Sequence, residues 1–270
     1  MNQNGHGPLN HNGQFDSHAR YILFTGKVKH GHLLRYLLAT QGRKRLLETY
    51  GLRRQMKSSA LTGDPDHVFE LYYAEDPKRL RWNSHPPEKL DETIYGMMQE
   101  EDAAQYQALQ KIIDAEKLSA IEVLDRARPT IPHVRALVQM PYLLKHKSQE
   151  EVARGLATAP YLLNDICVLK DEDGEDLESR LSRFSDYVSD IIPTFAQSGF
   201  SLLAAGRFTD HPDWILNIWQ LEDLEQHREL MLRLADNRVY SEIDKMCNQD
   251  QHLCRNVSRF YQHHPFLMTA

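Results

Sequence analysis

The sequence predicts an α+β protein made of two tandem ferredoxin-like units. An internal repeat carries most of that expectation. The stretch Trp214-Ile215-Leu216-Asn217-Ile218-Trp219-Gln220-Leu221 reads as a strand ending in the acidic pair Glu222-Asp223. A second copy lies upstream as His67-Val68-Phe69-Glu70-Leu71-Tyr72-Tyr73-Ala74, ending in Glu75-Asp76. The match runs backwards through two turns, Gly63 to Asp66 and Asp210 to Asp213, to the glycines Gly51 and Gly199; between glycine and acidic pair the copies differ in length by one residue. Element order is the second observation: each half reads strand, helix, strand, strand, helix, strand, which is the split βαβ arrangement. The third is composition. With 41% hydrophobic and 26% charged residues over 270 positions, the chain has enough apolar surface for one large or two small domains without staples.

In the first half, Tyr21 to Val28 is a strand by its aromatic and β-branched content. Leu33, Leu34, Leu37, Leu38, Leu46 and Leu47 recur at helical spacing, and Gly51 ends that helix as a left-handed cap. Arg53 to Leu61 is a polar strand, turned by Thr62-Gly63-Asp64-Pro65-Asp66 into the repeated strand. An insertion rich in Pro and Arg follows, then a helix from about Asp91 to Lys117 and a last strand at Ala120 to Leu124. The second half repeats the order: strand Asn164 to Lys170, helix Leu177 to Ile192, hairpin Phe200 to Leu221, helix Leu224 to Met246, strand Arg255 to Tyr261. The expected division is a disordered polar tail over 1–18, a first unit over 19–128, an inter-repeat segment over 129–160 and a second unit over 161–270. Within the inter-repeat segment Ala136 to Met140 could add a strand and Ser148 to Leu156 a short helix. The segment is expected to cover a sheet edge or close the space between the units.

Charge and motif content exclude several function classes. A net charge of -6, from 38 acids and 32 bases mixed along the chain, argues against nucleic acid as a partner. No apolar run reaches membrane-spanning length, and the first residues lack the charged and apolar regions of a signal peptide, so the chain is expected to be cytoplasmic. Three cysteines, Cys167, Cys247 and Cys254, make neither a disulfide framework nor a metal motif. No phosphate loop, nucleophile elbow or zinc-protease helix is present.

At the repeated strand the chain resembles the NIPSNAP-like branch of the dimeric α/β barrel proteins. A polar residue, a tryptophan and an acidic strand end are the shared features, here Asn217, Trp219 and Glu222-Asp223, with the Gly199-Phe200 entry before them. The family often has His at the place of Asn217 and an aromatic at the place of Leu221; the first repeat departs further, with Glu70 and Tyr72. The resemblance implies that two ferredoxin-like units pair their sheets into a barrel, both supplied by this one chain as a pseudo-dimer, with further homo-oligomerisation left open. Members of that superfamily include cofactor-free monooxygenases, polyketide cyclases, haem enzymes and proteins without known chemistry.

Strand alternation then sorts two faces. Phe69, Leu71, Tyr73, Leu216 and Ile218 form one, expected under the helices. Val68, Glu70, Tyr72, Ile215, Asn217 and Trp219 form the other, expected to line the barrel. A carboxylate on such a face needs a partner or a function, so Glu70 is a candidate general base and Asn217 a candidate holder of a carbonyl or enolate oxygen. The bland alternative for Glu70 is an ion pair with Arg53 or Lys57. Tyr72 and Trp219 are candidate substrate platforms, or packing, and Arg207 could neutralise an acidic substrate. Among 14 histidines, His133 is the candidate should the chain bind haem, as some superfamily members do. The expected activity is that of a cofactor-free enzyme acting on a small apolar, aromatic or polyketide-like molecule. The alternatives are a non-catalytic binding or scaffold protein on the same barrel, and a haem protein.

Overall fold

The computed structural model describes residues 18–29, 36, 47–48, 51–64, 66–76, 111, 114–115, 117, 130–171 and 174–257. Eight strands close into one antiparallel barrel in the order β1-β3-β2-β8-β5-β7-β6-β4. They are β1 (Ala19–Lys27), β2 (Leu52–Ala60), β3 (His67–Ala74), β4 (Thr130–Gln139), β5 (Tyr161–Leu169), β6 (Ser201–Phe208), β7 (Trp214–Leu221) and β8 (Cys247–Asn256). Read as two sheets, the ring is β4-β1-β3-β2 followed by β8-β5-β7-β6. Both have the ferredoxin-like order, so the two units are present and related by the repeat. The acidic pairs Glu75-Asp76 and Glu222-Asp223 end the corresponding strands β3 and β7, and Gly51 and Gly199 both enter the preceding strands at φ near +80° (+80° and +82°). The units meet at two short seams, three residue pairs for β2 with β8 and three for β4 with β6.

Three elements differ from expectation. The fourth strand of the first unit is β4, inside the segment expected to link the repeats, where it pairs with β1 along most of its length. Ala120 to Leu124 lies outside the described residues, as do the tail and most of the helix expected at Asp91 to Lys117; Lys111, Asp114 and Ala115 are helical, as are Tyr36, Leu47 and Glu48. The helix expected over Leu224 to Met246 is two, because Asp236-Asn237 breaks it and the Asn237 side chain caps the second by accepting from the Tyr240 N–H at 3.0 Å. The last strand accordingly starts at Cys247, earlier than expected; its sequence CNQDQHLCRN is too polar to announce a strand.

Five helices among the described residues cover the second unit and the link: α1 (Pro141–His146), α2 (Gln149–Arg154), α3 (Leu177–Gln197), α4 (Leu224–Ala235) and α5 (Arg238–Met246). The longest, α3, begins at Asp176, whose side chain accepts from the Ser179 N–H at 3.0 Å. It buries Leu181, Phe184, Val188, Ile191 and Phe195, a stripe at three- and four-residue spacing. None of these helices is long and apolar enough to cross a membrane. Residues 140–160 tie down one mouth of the barrel. Gln149 donates to the Tyr73 hydroxyl at 2.6 Å, the Ala157 N–H to the Gln55 carbonyl at 2.7 Å, the Thr158 N–H to Gln220 at 2.7 Å, and Asn256 to the Ala159 carbonyl at 2.8 Å.

The lumen is filled. Tyr21, Met56, Leu71, Leu137, Leu162 and Ile218 are each at most 1% exposed and belong to one continuous cluster. Packing is tight enough that a Cβ on Gly206 would sit 2.8 Å from Leu137 Cβ.

Candidate functional site

The two faces of the repeated strand are the reverse of the expected ones. Glu70, Tyr72, Asn217 and Trp219 lie under the helix layers, while Phe69, Leu71, Tyr73, Leu216 and Ile218 point into the lumen. Three contacts decide this: Trp219 stacks on Phe195 of α3 at 4.2 Å, Asn217 accepts from Tyr142 of α1, and Glu70 accepts from the helical Tyr36. Alternation separates two faces but does not say which is outward, and here both are apolar. The carboxylate was the misleading residue, since one of its partners, Tyr36, comes from a helix distant in sequence.

In the first unit Glu70 is fully buried, with one oxygen accepting from Tyr36 and the other from the Tyr72 hydroxyl at 2.7 Å. Lys57 stands opposite Glu70 across β2 and β3, is 2% exposed, and lies over the Tyr36 ring at 4.7 Å. Val28, Val68 and Val257 pack beside Tyr36. A carboxylate so enclosed is held by charge-assisted hydrogen bonds from phenols. Arg53, the other expected partner, pairs instead with Glu75 at 2.8 Å.

In the second unit the equivalent position, Asn217, belongs to a separate network that the sequence reading missed. Its amide faces the Cys167 thiol at 3.8 Å, and that thiol faces Asp165 at 3.6 Å. Burial pushes the Asp165 carboxyl up from 3.8 to about 6, against the opposing pull of Gln251, Cys167 and Asn217. Burial also raises the Tyr142 hydroxyl well above its ordinary value. A hydrogen bond with Cys247, and then burial, do the same to Cys167. The missed signal was in β5: an Asn164-Asp165 pair set in the apolar run Leu162-Leu163 and Ile166-Cys167-Val168.

Arg207 and the helix layer frame a cleft of about 410 Å³ between α1, α3 and the β4–β6 seam. Its walls are Val138, Met140 and Pro141 on one side and Leu181, Ser182 and Ser185 on the other. Two ion pairs stand at it, Arg207 with Glu178 at 2.8 Å and Lys145 with Asp186 at 3.0 Å. That volume lies within the range of about 300–1,000 Å³ usual for small-molecule sites. Adjacent residues of α1 serve both features, Pro141 in the cleft wall and Tyr142 in the buried network. Of the expected site residues, the structure joins Glu70 to Tyr72 and places Asn217 in the other network. Trp219 is a packing residue against α3. His133 is exposed on β4 at the barrel mouth opposite residues 140–160.

No family model matches the sequence, and no curated protein matches it. Solved structures do. One is a provisionally assigned chlorite dismutase, TA0507, at TM-score 0.51 and 11% identity, over 89% of this chain and 96% of that one. Another is described as a novel heme-binding protein from Thermus thermophilus, at TM-score 0.51 and 9% identity, over 92% and 95%. A provisionally assigned monooxygenase from Lactobacillus acidophilus matches at TM-score 0.47 and 12% identity, over 88% and 94%. The likeness is one of fold.

One of these proteins is described as heme-binding, so the donor set here bears on that cofactor. The described cleft offers no His, Cys or Tyr to an iron, and Met140 is its one side chain of a type that binds haem iron. His133 stands over a lumen closed by Phe69, Leu71 and Met56, each at most 5% exposed. Neither this cleft nor the setting of His133 fits a haem.

Proposed function

We propose that this chain is a small-molecule enzyme that works in the helix–sheet layer of its second unit, with the ligand in the cleft between α1, α3 and the β4–β6 seam. The substrate class is an apolar, aromatic or polyketide-like metabolite bearing an acidic group, and the reaction is of the cofactor-free monooxygenase or cyclase kind. What supports this reading is the cleft itself: an apolar patch of Val138, Met140, Pro141 and Leu181, a volume suited to a metabolite, and Arg207 at its edge. Arg207 is only 26% exposed, and its partner Glu178 is 78% exposed, so a ligand carboxylate can take the place of Glu178 at modest cost. Proton transfer falls to the buried network behind α1. Asp165, with its carboxyl near 6, is the group of that network able to change charge in the working range, and the Asn217–Tyr142 hydrogen bond ties the network to α1 beside Pro141 of the cleft wall. Glu70 has no such role in this reading, because both its oxygens already accept from phenols.

The experiment is a ligand-detected NMR screen of aromatic and polyketide-like acids against the wild type and Ser182→Trp, followed by oxygen-uptake and product assays on any binder. Ser182 is an exposed cleft residue, so the indole should fill the cleft without unfolding the chain. Binding lost in Ser182→Trp, with turnover lost in Asp165→Asn, is the expected pattern. Binding that survives Ser182→Trp removes the cleft from the reading. The filled lumen favours a second reading, a non-catalytic binding protein; binding without turnover in the same assay selects it.

A further inference from the structure

The barrel mouth opposite residues 140–160 gathers side chains that the cleft does not use. His67 on β3, His133 on β4 and His252 on β8 all occupy lumen-facing positions there, as register shows: Thr25 pairs with Phe69 on one side and with His133 on the other. The His67 and His252 rings lie 6.5 Å apart, and both rings contact Phe69, at 4.7 and 5.9 Å. Across the mouth Arg135 spreads its guanidinium over Phe208 and Trp214, at 5.2 and 5.4 Å. The floor is apolar, made by Phe69 and Leu23. Strands from both units therefore bring partly exposed imidazoles, a guanidinium and aromatic rings to one mouth of the barrel.

The charges around it are unevenly matched. Lys27 is paired with Asp64 at 2.5 Å, and His252 faces Asp250 at 3.2 Å. Asp210 stands 3.6 Å from Arg135, too far for a hydrogen bond, so the guanidinium keeps donors for another acceptor. His67 is held below the ordinary imidazole value by burial first, then by His252, with His133 and Lys27 adding to the effect and Asp64 opposing it. An anion among these groups relieves that repulsion. A metal ion is the other way to use three imidazoles, but among the described residues no group of His, Cys, Asp and Glu is arranged to hold one.

We propose that this mouth is a second binding site, for a planar organic anion of the aromatic carboxylate class, with its ring beside the His67–Phe69–His252 cluster and its carboxylate between Arg135 and the imidazoles of His67, His133 and His252. The inference is independent of the cleft. Binding is proton-linked: a charged His67 imidazole attracts the anion, so affinity rises as pH falls through the imidazole range.

The test is calorimetric titration of the full chain with 2-naphthoate, 2-naphthamide and inorganic phosphate, at about pH 5.5 and about pH 8.5, on either side of the imidazole range. Naphthoate should bind about tenfold more tightly at the lower pH, one imidazole charge being worth that much. His67→Gln and Arg135→Gln, both at partly exposed positions, should each weaken it about tenfold with an unchanged melting temperature, and Ser182→Trp in the cleft should leave it alone. Equal binding of naphthamide, equal binding of phosphate, affinity that ignores pH, or affinity untouched by His67→Gln each overturns the proposal. Loss of naphthoate binding in Ser182→Trp alone places the ligand in the cleft and also overturns it.

Discussion

Tyr72 and Tyr21 are both buried tyrosines on paired strands, yet removing their hydroxyls should have opposite effects. Tyr72 is fully buried and donates at 2.7 Å to Glu70, itself fully buried. Tyr72→Phe keeps the ring and its edge contact with Phe24, 5.4 Å between centroids, so no cavity larger than one oxygen opens. The loss is one hydrogen bond to a buried carboxylate, about 1.5–3 kcal/mol. For a chain of this size about 2–4 °C per kcal/mol applies, so the melting temperature should fall by roughly 3–12 °C. Tyr21 is the control. It is 1% exposed, on the lumen face, and its hydroxyl has no hydrogen-bond partner among the described residues. Tyr21→Phe relieves a buried unpaired donor and should be neutral or stabilising by about 1 kcal/mol. Thermal melts followed by circular dichroism at one pH measure both. A neutral Tyr72→Phe beside a costly Tyr21→Phe would refute the assignment of faces and the network around Glu70.

Asp165 sets a pH dependence. Its folded carboxyl is raised from 3.8 to about 6, so its contribution to stability is complete below the unfolded value and is lost as pH rises through about 6. The loss is on the order of 3 kcal/mol. Melts across this range should show that decline in the wild type and a flatter profile in Asp165→Asn. The paired glycines should respond unequally. Gly51→Ala meets only the strain of φ +80°, about 1–2 kcal/mol. Gly199→Ala also drives a Cβ to 2.3 Å from the Gln226 side chain, whose oxygen caps the start of α4 by accepting from Glu222 and Asp223, and chemical denaturation should show a larger loss. Titration with haemin should give no sharp absorption band saturating at one haem per chain; such a band, abolished by His133→Ala, would identify His133 as the ligand after all.

The sequence by itself determined the repeat and, through it, the two-unit topology. The spaced glycines, the proline turns and the acidic strand ends are local signals, set by backbone conformations that few residues tolerate, and they survive in Gly51 and Gly199 and in Glu75 and Glu222. Period-two alternation likewise split β3 and β7 into the right two sets. The same local signals missed β4 and the start of β8. A strand such as CNQDQHLCRN owes its form to the neighbours that complete its hydrogen bonds, Tyr161–Leu169 on one side and Ser58–Ala60 on the other. Tertiary structure alone decided which set of side chains faces the lumen. That choice depends on where the helices lie, and both faces had to be apolar because both are covered. It also decided the partners of the buried polar groups. Glu70 meets Tyr36, Asn217 meets Tyr142, and Arg135 lies over Trp214, each pair far apart in the chain. No pattern in sequence carries such a pairing, since the energy that makes it comes from excluding water at a place that exists only once the barrel has closed.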